Sequence, residues 1–165
     1  MKELYLIRHA KSSWADPDLD DFDRPLNKRG RKNAPYMAGR ISMRNIFPDR
    51  IVSSPALRAR RTARYIAAGI GYRMGEIIYD RGLYFSGFAY FLDVAGYHLH
   101  KVDRIFMVGH NSVITDVAEY FCGDIFSNVP TCGIVGIGFR GKRGFQQVAG
   151  SGSLLFFDYP KKISP

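Results

Sequence analysis

The chain has 165 residues, of which 46% are apolar and 14% aromatic, and a formal net charge of +9 at pH 7. This composition is typical of a globular protein and argues against a disordered one. The length predicts one domain covering residues 1–165. No stretch approaches the roughly 20 apolar residues of a membrane span, and the polar segment after Ile7 argues against a signal peptide. We therefore expect a cytoplasmic protein without membrane contact.

The positive charge limits the class of partner. Basic proteins attract nucleic acid, anionic membranes or phosphorylated substrates. The cations are spread along the chain, and the sequence contains no zinc finger, helix-turn-helix or aromatic RNA-binding motif. We therefore expect a protein that handles phosphate and has no nucleic-acid partner. Cys122 and Cys132 do not have the spacing of a metal site, so we expect two reduced thiols, no metal and no cofactor.

Short apolar runs alternate with stretches of helical periodicity over most of the chain. The runs predict strands at 3–8, 50–53, 77–79 and 104–108. Apolar residues three and four positions apart predict helices at 28–44, 55–68, 85–99 and 111–122. Asn27 is the expected N-cap of the first helix, and Pro55 is expected near the start of the second. Beyond residue 123, β-branched and glycine-rich sequence predicts strands at 131–139, 146–148 and 154–157.

This order of elements predicts an α/β fold: a three-layer α/β/α sandwich with a mostly parallel central sheet and an antiparallel edge. In such sheets, ligands bind at the carboxyl ends of the strands. Arg8 and His9 follow the first predicted strand, and Arg58 comes soon after the second. His110 follows the strand at 104–108. We expect these four side chains to converge on one phosphoryl group.

His9 is the candidate nucleophile. A neutral histidine attacks phosphorus through the nitrogen with a free lone pair, while its other nitrogen donates to a carbonyl. Neighbouring cations keep the imidazole neutral, and Arg8 can bind phosphoryl oxygens with its planar guanidinium. Arg58 lies in the first turn of a predicted helix, where a cation is favourable only if an anion lies between it and the free N–H groups. Asn111 can cap the helix that follows His110.

Five stretches resemble the motifs of the histidine phosphatase superfamily, which includes the phosphoglycerate mutases, and more closely those of the SixA-type phosphohistidine phosphatases. They are Leu4–Lys11, Asp21–Gly30, Ser53–Ala63, Val108–Asn111 and Val129–Gly133. The resemblance implies a single histidine phosphatase domain with the phosphoglycerate mutase-like fold. It also implies that His9 is the phospho-acceptor. The phosphate pocket would be formed by Arg8, Arg58 and His110.

The chain departs from the family pattern at two places. Ala10 replaces the glycine that usually follows the Arg-His pair, as is common among SixA-like members, and its methyl group is tolerable if φ is negative. Ester-cleaving relatives carry a glutamate or aspartate just after the third strand. Here residues 80–84 read Asp-Arg-Gly-Leu-Tyr, and Arg81 keeps Asp80 ionised. Asp21, in the loop before the first helix, is the other carboxylate that could reach the site.

The missing acid favours a particular substrate. The conjugate acid of an alkoxide leaving group has a pKa near that of water, roughly 15.7, whereas the pKa of imidazole is about 6.5. Imidazole therefore leaves phosphorus with little proton donation. General acid catalysis contributes roughly 10²–10⁴-fold, which an N–P substrate can forgo and a poor alkyl ester cannot. We therefore expect a metal-independent phosphatase that acts on protein phosphohistidine.

Two alternatives stay open. One is a broad-specificity phosphatase or mutase that acts on small phosphoesters, and the other is a phosphate- or phosphohistidine-binding module without turnover. In each case the expected partner is a phosphorylated protein or a small phosphorylated molecule, with a phosphate ion in the site. Asn111, Lys11 and Asp21 are the expected substrate-binding residues. Arg24 and its basic neighbours could steer an anionic partner towards the site.

Overall fold

The strands of the computed structural model form one sheet. They are β1 (Lys2–Arg8), β2 (Arg50–Ser53), β3 (Ile78–Tyr79), β4 (Arg104–Gly109), β5 (Ile134–Phe139) and β6 (Ser153–Asp158). The structure describes residues 1–123, 126–141 and 144–162, and within these ranges the six strands lie in the order β3-β2-β4-β1-β5-β6. Strands β1 to β4 run parallel, whereas β5 is antiparallel to both β1 and β6. The predicted mostly parallel sheet with an antiparallel edge is confirmed.

Helices cover both faces of the sheet. They are α1 (Lys28–Met43), α2 (Leu57–Ile70), α3 (Gly82–Phe85), α4 (Phe88–Leu99) and α5 (Val113–Cys122). Side chains of β1 alternate between the two faces: Tyr5 and Ile7 pack in the core with α1 and α2, whereas Leu4 and Leu6 pack in the core with α4 and α5. This arrangement is the predicted three-layer sandwich. None of the described helices has the length and apolar character needed to cross a bilayer.

The start of α1 is pressed against the segment that follows β1. The side chain of Asn27 accepts a hydrogen bond from Gly30 N at 2.8 Å, as expected of an N-cap. The backbone of Asn27 also donates to Lys11 O at 3.0 Å. A Cβ on Gly30 would lie only 2.2 Å from Lys11 O, so only glycine permits this close approach. The helix thereby supports the backbone two residues beyond His9.

Three of the differences between predicted and observed elements have a clear cause in the structure. Helix α2 begins at Leu57 and ends at Ile70, because the Ser54–Ala56 segment forms a turn and Gly71 adopts the left-handed cap, with φ of 72°. The predicted helix at 85–99 is interrupted by extended backbone at Ser86 and Gly87, which separates α3 from α4. The strand predicted at 146–148 was wrong, because β5 already pairs with β1 and β6 along both edges.

Helices α1 and α2 meet through small residues. A Cβ on Gly69 would lie 2.4 Å from the Cβ of Ala38, whereas a Cβ on Gly39 would have no neighbour within 4 Å. We predict that Gly69→Ala lowers the free energy of unfolding by about 1–3 kcal/mol through overpacking. Gly39→Ala is the matched control and should leave the free energy unchanged or raise it by up to about 1 kcal/mol. Urea unfolding measures both, and equal effects would contradict the close contact.

Candidate active site

The backbone around His9 is held by three other segments of the chain. Cys132 N donates to the carbonyls of Arg8 and His9, each at 3.1 Å, and His9 N donates to Gly109 O at 3.0 Å. Ala10 N donates to the hydroxyl of Thr62 in α2 at 2.9 Å. Ala10 is not among the described residues with positive φ, as its methyl group requires. The imidazole of His9 therefore has a fixed starting point at the carboxyl end of β1.

The imidazole of His9 is buried and neutral. Its Nδ1 lies 2.8 Å from Ala10 O and donates to it, which leaves Nε2 to accept from Arg58 Nε at 3.4 Å. Burial lowers the pKa of His9 to about 3, and the positive charges of Arg58 and Arg8 act in the same direction, against the effect of the Ala10 hydrogen bond. Nε2 therefore carries a lone pair at neutral pH, as a nucleophile requires.

Arg58 is oriented by the loop between β1 and α1. It is the second residue of α2 and is buried. Its Nη1 donates to the carbonyl of Asp21 at 2.6 Å, and its Nη2 donates to Asp21 Oδ2 at 2.9 Å. The hydroxyl of Thr62 donates to Arg58 O at 2.7 Å. These contacts direct the Nε–H of Arg58 towards Nε2 of His9.

His110 lies beside His9, with 5.1 Å between the two ring centroids. Its Nε2 is 2.8 Å from Ser54 Oγ. Ser54 Oγ also accepts from Ala56 N at 3.2 Å. We assign its hydroxyl hydrogen to His110 Nε2, the tautomer in which the ring proton lies on Nδ1. Burial lowers the pKa of His110 to about 4, with a further contribution from Arg58, whereas Asp21 opposes it.

Two buried polar atoms in this region have no hydrogen-bond partner in the part of the chain that the structure describes. They are Arg8 Nε and His110 Nδ1. The Arg8 guanidinium is itself held by its Nη1, which donates to Val129 O at 2.8 Å. Unpaired buried donors are rare in proteins because they are costly. Both donors suit an anion bound beside His9, which would accept from them.

Asp21 lies in the site but binds arginines rather than presenting a proton. Its Oδ2 accepts from Arg58 and from the hydroxyl of Tyr84 at 2.8 Å, and its Oδ1 pairs with Arg24 at 3.0 Å. Burial alone would raise the pKa of Asp21, but the hydrogen bonds from Tyr84 and Arg58 outweigh it and lower the pKa to about 2. The carboxyl group is therefore ionised throughout the physiological range.

The other predicted site residues lie around this group. Lys11 is exposed, and its carbonyl supports the start of α1. The Asn111 side chain accepts from Thr115 and donates to Asn128 and Val129, so it supports the segment that receives Arg8. Asp80 accepts from Tyr90 and from the backbone at the start of α3.

Arg24 and Thr62 were not predicted to act where they do. The sequence placed Arg24 in a basic group that could steer an anionic partner, but it is buried, donates to Ser12 Oγ at 2.7 Å and stacks on Trp14. Thr62 joins Ala10 to Arg58, and a helical threonine gives no sequence signal for such a bridge. Within the described residues, no group of histidine, cysteine, aspartate or glutamate side chains is arranged to hold a metal ion.

Comparison with known proteins agrees with this fold. The model of the histidine phosphatase superfamily (branch 1) matches residues 4–84. An uncharacterized chloroplastic protein of Arabidopsis thaliana is 31% identical over 132 residues, which make up 74% of this chain and 60% of that protein. The chain spans 60% or less of the length of the curated relatives reported for it. The chain belongs to the histidine phosphatase superfamily.

Solved structures extend the similarity to nearly the whole chain. A SixA protein of Agrobacterium tumefaciens is 28% identical with a TM-score of 0.82, and the match covers 96% of this chain and 98% of that one. A SixA protein of Nakamurella is 21% identical with a TM-score of 0.78, covering 98% and 97% of the two chains. The resemblance to SixA-type members of the superfamily is thereby confirmed.

The low pKa values of His9 and His110 predict an unusual titration. Both imidazoles should stay neutral at pH 5.5, where a free histidine, with a pKa of about 6.5, is mostly protonated. The unfolded chain then binds more protons than the folded one, so the free energy of unfolding should fall as pH decreases from about 6.5. The pH dependence of the imidazole NMR signals, assigned with His9→Gln and His110→Gln, measures the protonation of each ring. Titration of either ring near pH 6.5 would contradict the burial and charge described above.

Proposed function

We propose that this protein is a phosphatase that transfers a phosphoryl group to His9 and then hydrolyses the phosphohistidine. The observation that carries the proposal is the neutral Nε2 of His9 beside Arg58, with the buried donors Arg8 Nε and His110 Nδ1 available to the same anion. Histidine, like other protein nucleophiles, divides one difficult transfer into two easier ones. The surrounding cations stabilise the phosphoryl oxygens in both steps.

In the first step, the lone pair of His9 Nε2 attacks phosphorus in line with the leaving group. The N–P bond to His9 forms as the bond to the leaving group breaks, and the leaving group departs with that electron pair. Arg8, Arg58 and His110 donate hydrogen bonds to the equatorial oxygens, where charge is spread in the transition state. Asp21 keeps Arg58 in place and makes no bond to the substrate.

In the second step, water attacks the phosphorus of phospho-His9. The N–P bond breaks, its electron pair returns to Nε2, and the water proton stays with the released phosphate. The environment that lowers the pKa of His9 to about 3 favours this step, because it stabilises the neutral imidazole that leaves. The hydrogen bond from Nδ1 to Ala10 O keeps the ring in the same orientation for the next cycle.

The substrate class follows from the carboxylates. Asp21 is ionised, with a pKa of about 2, and Asp80 is bound to Tyr90 and the start of α3. Neither is placed to protonate an alkoxide, a contribution of roughly 10²–10⁴-fold. We therefore propose protein phosphohistidine as the substrate rather than alkyl phosphoesters. The SixA proteins of Agrobacterium tumefaciens and Nakamurella that this chain resembles carry the name phosphohistidine phosphatase.

The residues of the site and the free thiols also bear on the metal dependence and the location of the enzyme. Residues 1–165 are proposed to act as one catalytic domain on a phosphorylated protein. The catalytic charge is supplied by Arg8, Arg58 and His110, so activity should not depend on an added divalent metal. We propose a cytoplasmic location, because the free thiols of Cys122 and Cys132 suit a reducing compartment.

The covalent intermediate provides the test. A peptide carrying radiolabelled phosphohistidine is mixed with the protein and quenched within the first turnover. We expect acid-labile label on His9. In His9→Gln the label should be absent and the turnover rate should fall by more than about 10³-fold. His100→Gln, an exposed histidine at the end of α4, is the matched control and should keep both. Turnover that survives in His9→Gln would disprove the mechanism, and binding without label or turnover would favour a non-enzymatic module.

A further inference from the structure

A cluster of aromatic side chains borders the site without belonging to either core. It consists of Phe22, from the loop between β1 and α1, and of Tyr84 and Phe85 from α3; we call these residues the aromatic wall. The rings of Phe22 and Tyr84 are 5.0 Å apart and those of Tyr84 and Phe85 are 4.8 Å apart, both edge to face. The rings of Phe22 and Phe85 are stacked at 6.2 Å.

The aromatic wall is open to solvent. Phe85 is 64% exposed, and Phe22 and Tyr84 are only partly buried. None of the three lies in the buried clusters on either face of the sheet. Grouped aromatic side chains on a surface are typical of binding sites, because they leave apolar area that a partner can cover. Phe85 already contacts one cation, the Arg81 guanidinium, at 5.3 Å from the ring centroid, so the face that it offers attracts positive charge.

The aromatic wall continues directly from the catalytic residues. The ring of Tyr84 lies 5.5 Å from that of His110 and is nearly perpendicular to it. The hydroxyl of Tyr84 donates to Asp21 Oδ2, the same oxygen that binds Arg58. Asp21 thus fixes both a phosphate-binding arginine and the first ring of the wall. The wall therefore begins at the rim of the phosphate pocket and extends outward to Phe85.

The position of the aromatic wall matches the side from which the leaving group departs. In an in-line transfer, the leaving group departs on the side of phosphorus opposite the nucleophile. His9 is buried, so a leaving group opposite it extends towards solvent, where the rings of the aromatic wall are exposed. Aromatic rings interact favourably when their centroids are 4.5–7 Å apart, which is the range already present within the wall.

We infer that the aromatic wall of Phe22, Tyr84 and Phe85 receives the imidazole ring of the phosphohistidine leaving group and so selects an aromatic phosphoramidate over an aliphatic one. This inference rests on the proposed phosphohistidine phosphatase function. The P–N bond of the substrate breaks with both electrons passing to the ring nitrogen. The ring, protonated on its other nitrogen, leaves as neutral imidazole. The wall holds that ring as it departs.

The experiment compares two substrates that differ in the ring. Free phosphohistidine and phosphoramidate share the P–N bond, but phosphoramidate releases ammonia and offers nothing to stack. We measure kcat/KM for both substrates with the whole protein and take their ratio, phosphohistidine over phosphoramidate. The variants are Phe85→Leu and Phe22→Leu, with Phe85→Tyr as the conservative variant. Phe47→Leu is the matched control, because Phe47 is also exposed but precedes β2, at the amino ends of the parallel strands and so away from the site.

Each leucine variant should lower the ratio about three- to tenfold, which corresponds to the interaction free energy of one aromatic pair. The kcat/KM for phosphoramidate should stay unchanged. Phe85→Tyr should keep the wild-type ratio, because it retains an aromatic ring, and Phe47→Leu should also leave the ratio unchanged. Equal loss on both substrates, or no loss on either, would overturn the inference while leaving the mechanism at His9 intact. A wild-type ratio near one would overturn it in the same way. A wild-type protein that hydrolyses neither substrate would instead refute the proposed function on which the inference rests.

Discussion

The contact between the imidazole of His9 and the guanidinium of Arg58 sets the chemistry of the site. The two groups share a pocket that excludes most water, and Arg58 Nε lies 3.4 Å from His9 Nε2. A protonated imidazole in this position would face both the loss of solvation and a neighbouring positive charge. The ring therefore stays neutral, with its lone pair directed into the cluster of cations. The same neutrality serves the nucleophile in the first step and the leaving group in the second.

Asp21 shows how the chain uses a carboxylate in a site that lacks a proton donor. Its two oxygens and its carbonyl bind Arg24, Arg58 and Tyr84. These bonds hold the loop between β1 and α1 across the start of α2, and they keep the carboxyl group ionised. The loop thus contributes a carboxylate that fixes Arg58 of α2, and no general acid. A substrate with a good leaving group is the one that such a site can process.

The sequence predicted the convergence of Arg8, His9, Arg58 and His110 because parallel strands fix which residues meet at one edge of a sheet. It could not predict Thr62, whose hydroxyl bonds to Ala10, 52 positions earlier, only after α2 has packed on the sheet. The break between α3 and α4 was missed for a similar reason. Helical spacing continues through it, and only the extended backbone at Ser86 and Gly87 separates the two helices.

A structure of the protein with bound vanadate is the sharpest test of the mechanism at His9, because vanadate adopts the geometry of a phosphoryl group in transfer. We expect vanadium to bond to His9 Nε2, with Arg8 Nε, Arg58 and His110 Nδ1 donating to the equatorial oxygens. Asp21 should remain bound to Arg58 and make no contact with the anion. Vanadate bound away from His9, or bound there through a protonated Asp21 while Arg8 and His110 stay unpaired, would contradict the account.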